Sequence, residues 1–129
     1  MEYKISSHCV FNINYHIVFT PKRRKAVLVG DIARDLKQNI LETAAKVKIK
    51  IEAMEIMPDH VHLFVSSSPS IAPHKIVKRI KGNSSHFLRQ KYSQLLKLPT
   101  LWNHAYYCGT VGQVSESVVK NYIESQKSK

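Results

Sequence analysis

Between residues 11 and 19 the apolar positions Phe11, Ile13, Tyr15, Ile17 and Phe19 alternate with Asn12, Asn14, His16 and Val18. A period of two predicts a long half-buried strand, and Thr20-Pro21 closes it. The period then lengthens. After a turn around Gly30 and Asp31, Ile32, Leu36, Ile40, Leu41, Ala44 and Val47 recur like one face of a helix. Lys48 to Met57 returns to alternation, with Ile49, Ile51 and Ala53 against Lys50 and Glu52. Pro58-Asp59 makes a tight break before Val61, Leu63 and Val65, so two antiparallel strands joined by a short turn are expected. Beyond the Ser66 to Ser70 loop and Pro73, a second helix carries Ile76, Val77, Ile80, Phe87 and Leu88 on one side. Lys75, Lys78, Arg79 and Arg89 point toward its other side. A last strand is expected from about Leu101 to Thr110, including Trp102 and Tyr106-Tyr107. Gly112 then precedes a short terminal helix opened by Ser115, with Glu116 in its first turn.

The resulting order is strand, helix, strand, strand, helix, strand, helix. It predicts an α+β fold of the ferredoxin-like or RRM-like kind: a four-stranded antiparallel sheet, two helices on one face, and an extra C-terminal helix. The 129 residues are read as one domain, 1–129, with no repeat, low-complexity tract or linker dividing it. Gly82 interrupts the second helix at a cost of roughly 1 kcal/mol relative to Ala. Either the helix bends there, or DNA or a partner helix approaches its backbone.

Charge narrows the function. Twenty Lys and Arg against nine Asp and Glu leave a formal net charge of +11, a field suited to a polyanion. The apolar segments are short and interrupted by charge, so nucleic acid is the expected partner and a membrane is not. Met1-Glu2-Tyr3-Lys4 has no secretory apolar run, and Cys9 and Cys108 lack CxxC spacing. Both features fit a cytoplasmic protein with two small buried thiols.

The chemistry concentrates in Pro58-Asp59-His60-Val61-His62-Leu63-Phe64-Val65. On a strand, Val61, Leu63 and Val65 share one face, and His60, His62 and Phe64 share the other. Two imidazoles held by one strand are half of a metal site, though such a pair alone is more often two ordinary polar residues. In the terminal helix Tyr122 and Gln126 lie four residues apart and share a face, with Val118 one turn earlier. A Gln amide oxygen can serve as a third, neutral ligand, and a phenol can attack an electrophile. Tyr122 is otherwise an amphipathic packing residue like the other tyrosines. This donor set suits Mg²⁺ or Mn²⁺ better than a closed zinc cage. Glu55 and Asp59 flank the motif as orienting partners or as a solvated Glu and a turn Asp. His16 borders the site from the first strand but is left out of the ligand set, as are His8, His74, His86 and His104.

His60-Val61-His62 followed far downstream by Tyr122-Ile123-Glu124-Ser125-Gln126 resembles the HUH endonuclease superfamily, in particular the small single-tyrosine transposases of insertion sequences. The likeness extends to Tyr15-His16-Ile17-Val18-Phe19 with its basic tail and to Lys81-Gly82-Asn83-Ser84-Ser85. It implies that His60, His62 and Gln126 hold a divalent ion, Mg²⁺ or Mn²⁺, against the scissile phosphate of single-stranded DNA. It further implies that Tyr122 attacks to form a 5′-phosphotyrosine and release a 3′-hydroxyl, a step reversible on a new 5′ end without ATP. A homodimer is implied too, with the terminal helix able to complete the partner's site, and hairpins at element ends as ligands. Lys22, Arg23, Arg24, Lys78, Arg79 and Lys81 are the expected phosphate contacts. The competing reading is a non-catalytic nucleic-acid-binding module on the same scaffold, with Tyr106 and Tyr107 stacking on bases. A phosphoesterase using paired histidines as acid and base would need a second such motif, which the chain lacks.

Overall fold

The computed structural model describes residues 13–110 and 123–125, together with the backbone of Lys4–Ile5 and Val10–Phe11. In chain order the elements are β1 (Lys4–Ile5), β2 (Val10–Phe11), β3 (Ile13–Phe19), α1 (Gly30–Val47), β4 (Lys50–Met57), β5 (His60–Ser67), α2 (Pro73–Lys91) and β6 (Tyr107–Thr110). Short 3₁₀ turns occupy Lys22–Arg24 and Ser93–Lys97.

Alternation decides the layers. Val61, Leu63 and Val65 from β5 and Ile17 and Phe19 from β3 are fully buried, in one cluster with Leu36 and Ile40 of α1 and Ile76, Ile80 and Leu88 of α2. Both helices therefore cover the same face of the sheet, with Thr43 and Ser84 the polar residues they bury. The sheet order is β4-β5-β3-β6, with every neighbouring pair antiparallel. This is the expected ferredoxin-like α+β arrangement, in which the first and third strands of the βαββαβ order lie side by side at the centre. Lys48 ends α1 in the left-handed conformation (φ 62°), its N–H reaching back to the carbonyls of Ala44 and Ala45.

Val10–Phe11 pairs with Lys4–Ile5 and Ile13–Phe19 joins the four-stranded sheet, while Asn12 between them lies outside the described residues. Three expectations need correction. The last strand begins at Tyr107, not Leu101. Leu101 and Trp102 instead wedge into the core beneath the loop, Trp102 edge-on to Phe19 at 4.7 Å with its indole N–H on Ser84 Oγ. Leu41 of α1 and Phe87 of α2 are 40% and 38% exposed rather than on the core faces of their helices. Cys108 is half-buried, and burial raises its thiol pKa; Cys9 lies outside the described residues.

α2 runs unbroken through Gly82, and a Cβ built there would meet nothing within 4 Å. Among the described residues no element crowds that backbone. Residues 123–125 form a helical turn; the rest of the expected terminal helix, with Ser115, Tyr122 and Gln126, lies outside the described residues. Among the described residues no helix is long and apolar enough to cross a membrane.

Candidate active site

Strand register assembles the site on the sheet face opposite the helices. Glu55 of β4 pairs with His62 of β5, which pairs with Val18 of β3, which pairs with Tyr107 of β6. One step along, Ala53, Phe64, His16 and Gly109 form the next transverse row. His16 thus lies diagonal to His62, and its Nδ1 is 3.0 Å from His62 Nε2. Its ring also stacks on Phe64 at 5.0 Å. A cavity of about 320 Å³ opens here, lined by His16, Ala53, Met54, Glu55, His62 and Phe64.

His60 belongs to a different set of contacts. Asp59 Oδ1 lies 2.9 Å from His60 Nδ1, which leaves Nε2 as the nitrogen suited to a ligand. The other carboxylate oxygen of Asp59 takes the guanidinium of Arg24 at 2.9 Å from Nε. Arg24 Nη1 in turn reaches Glu124 Oε1 at 3.2 Å and donates to the Ile123 carbonyl at 3.4 Å. The 20–29 loop brings Arg24 there because it is tied at several points: Lys22 N to Leu101 O, Asn103 N to Thr20 O, and Leu28 N to Pro58 O.

The electrostatics favour neutral imidazole at His62. Burial first, then the neighbouring His16, lower its pKa, with Glu55 opposing and His60 adding a little. A neutral ring keeps the lone pair that metal ligation requires. Among the described residues no cluster of three or more His, Cys, Asp or Glu is placed to hold a metal. The oriented His60 ring has the chemistry of a metal ligand. At His62 an ion on Nε2 would have to displace the contact with His16.

Residues 9–126 of the sequence match the family of IS200-like transposases. This chain belongs to that family. Its relatives include the ISDra2 transposase TnpA of Deinococcus radiodurans, 36% identical over the whole chain and 94% of that protein. The IS200 transposase of Salmonella typhimurium is 27% identical over 95% of this chain and 82% of its own length. A solved Deinococcus radiodurans R1 structure, described as a transposase, superposes with a TM-score of 0.92 at 29% identity, covering 98% of this chain and 99% of the other. A REP-associated tyrosine transposase bound to a REP hairpin shares the fold, with a TM-score of 0.61 at 12% identity over 93% of this chain and 69% of its own. The resemblance read from the histidine pair and the Tyr-x3-Gln spacing is therefore the family relationship itself.

Within this transposase, the sequence-expected residues fall in separate places. His60 and His62 share a strand face as expected; Tyr122 and Gln126 lie outside the described residues. Arg24 is engaged with Asp59 and the 123–125 turn, beside His60. Lys78 and Arg79 line an apolar cavity of about 510 Å³ with Val47, Ile71 and Gly82, on the helical side of the sheet. Lys81 turns inward, donating to the carbonyls of Asn103 at 2.6 Å and His104 at 3.2 Å, and burial pulls its pKa down to about 8. Two contributors exceeded what spacing could reveal. His16 was legible as lying on the polar strand face, but its partner depended on β3–β5 register. Asp59 was legible either as an orienting partner or as a turn residue, and its 2.9 Å contact with His60 Nδ1 decides for the first.

Proposed function

We propose that this transposase cleaves and rejoins single-stranded DNA, taking hairpin-bearing ends of its own element as substrate, with Tyr122 as the nucleophile. The observation that carries the reading is the relay from His60 through Asp59 and Arg24 to residues 123–125. It ties the imidazole end of the site to the turn that adjoins Tyr122 in the chain. When bound by His60, His62 and Gln126, Mg²⁺ or Mn²⁺ would supply Lewis-acid polarisation of the scissile phosphate. The chain's residues do the rest. Tyr122 gives its phenolic proton to solvent and its oxygen forms a bond to phosphorus, while the bond to the 3′ oxygen breaks and that oxygen takes a proton from solvent and leaves as a 3′-hydroxyl. The phosphotyrosine retains the phosphoryl linkage, so a new 3′-hydroxyl can reverse the step without a nucleotide cofactor. Asp59 fixes the His60 ring, and the +11 charge holds the strand. The working unit in this reading is a homodimer, in which Tyr122 can serve either its own or the partner's histidines.

The test incubates the protein with single-stranded DNA from the flanks of its own gene, in Mg²⁺ or Mn²⁺ against EDTA, beside a Tyr122→Phe variant. A covalent protein–DNA band on a denaturing gel, dependent on metal and absent from the variant, is expected. Tight binding without an adduct in either metal would overturn the enzymatic reading in favour of a binding module.

A further inference from the structure

Arg24 bridges the described C-terminal turn and the turn that precedes the histidine strand. Its backbone is in the left-handed region (φ 53°), as is that of Arg23 (φ 57°), a conformation that L side chains rarely adopt. The strained pair is held between anchored ends, Lys22 N on Leu101 O at 2.9 Å and Leu28 N on Pro58 O at 3.0 Å. The consequence is a side chain only 16% exposed, with its guanidinium on Asp59 of the β4–β5 turn.

We infer that Arg24 is a positioning residue: one guanidinium sets both the orientation of His60, through Asp59, and the docking of residues 123–125, through Glu124 and the Ile123 carbonyl. The inference rests on the reading above for its catalytic consequence, because Tyr122 is covalently joined to Ile123 and must travel with it. Nε is spent on Asp59 and Nη1 on the turn, three acceptors in two directions. A planar fork can serve such a set at fixed angles; a lysine ammonium on a flexible stem keeps the charge and loses the geometry. Asp59 also gains by the arrangement. With Arg24 on one carboxylate oxygen, the other remains directed at Nδ1 of His60, so the ring presents Nε2.

The test uses the full chain with Arg24→Lys and, separately, Glu124→Gln, which leaves the Arg24–Asp59 pair in place. The first readout is amide hydrogen exchange in EDTA without DNA. Both variants are expected to speed exchange at residues 123–125 by roughly tenfold, the loss of about one charge-assisted bond, while Val61, Leu63 and Val65 exchange as in wild type. The second readout separates DNA affinity in EDTA from the single-turnover rate of adduct formation at saturating DNA. Arg24→Lys is expected to lower the rate by roughly tenfold or more with affinity within about twofold. Unchanged exchange at 123–125 in both variants would overturn the inference, as would a loss of affinity as large as the loss of rate. Failure of wild type to form any adduct would strike the proposed reaction alone, since the exchange result still decides whether Arg24 docks the turn.

Discussion

Lys81 offers a measurement in which the sign of a buried charge can be read directly. Its ammonium lies over the Tyr106 ring at 5.7 Å and donates to Asn103 O, His104 O and Ala105 O, pinning the loop that leads into β6. The carbonyls recover part of the hydration lost on burial; the remainder shows as a pKa lowered from 10.5 to about 8. Between those two values the unfolded chain binds more protons at this position than the folded chain, so folding stability rises with pH across that window. The full shift corresponds to about 3 kcal/mol at about 1.36 kcal/mol per unit; Lys81 is only partly buried, and solvent screening brings the expected effect to about 1–2 kcal/mol. Lys81→Met keeps the stem over Tyr106 and removes the titration. Urea unfolding of both proteins at pH 7.5 and at pH 10.5, at constant ionic strength, isolates the contribution, because the other titrations cancel in the difference. The stability of wild type relative to Lys81→Met is expected to rise by that amount with pH. A difference that stays flat, or falls, would refute the argument and return Lys81 to the set of ordinary surface cations.

Leu63→Ala should cost about 2–5 kcal/mol, since Leu63 is fully buried at the centre of β5, and a lowered urea midpoint with unchanged m would show it. Asp35 accepts from Lys91 and Tyr92, whose bonds hold its pKa at about 2, below its ordinary 3.8. Its contribution is therefore present above about pH 4 and lost as pH falls toward 2, so wild type should lose more stability over that interval than Asp35→Asn, and parallel acid unfolding curves would count against it. If Lys78 and Arg79 both contact single-strand phosphates, replacing the two with Ala should reduce the slope of log affinity against log salt by about 1.4; an unchanged slope would remove that helix face from the DNA interface.

Much of the fold was legible because local pattern and tertiary burial agree. The alternation at Val61, Leu63 and Val65 assigns the core face of β5, and hence the opposite face to His60 and His62, whatever the strand pairs with. The three- and four-residue spacing from Ile32 to Ala44 likewise marks the buried stripe of α1. The errors came where pattern is ambiguous. Leu101 and Trp102 are apolar and buried, as strand residues would be, yet their burial comes from wedging beneath Phe19 and Ser84 rather than from a ladder. Phe87 is apolar at helical spacing, but the buried stripe of α2 runs through its neighbour Leu88 and leaves Phe87 on the exposed side.

Side-chain periodicity settles which face a residue occupies, and composition settles the sign of the field; both are properties of neighbours along the chain. Partnership across the chain is another matter. His16 meets His62 over 46 residues because β3 pairs with β5 in one register, and a one-residue slip would send the imidazoles to opposite faces. Arg24 meets the Ile123 carbonyl over 99 residues because a strained turn, anchored at both ends, aims its guanidinium past Asp59. Such contacts depend on closing long loops and fixing register at once, and no local spacing encodes either. The histidine pair was written in the order of residues; its orienting shell existed only after the strands and the basic loop had been brought together.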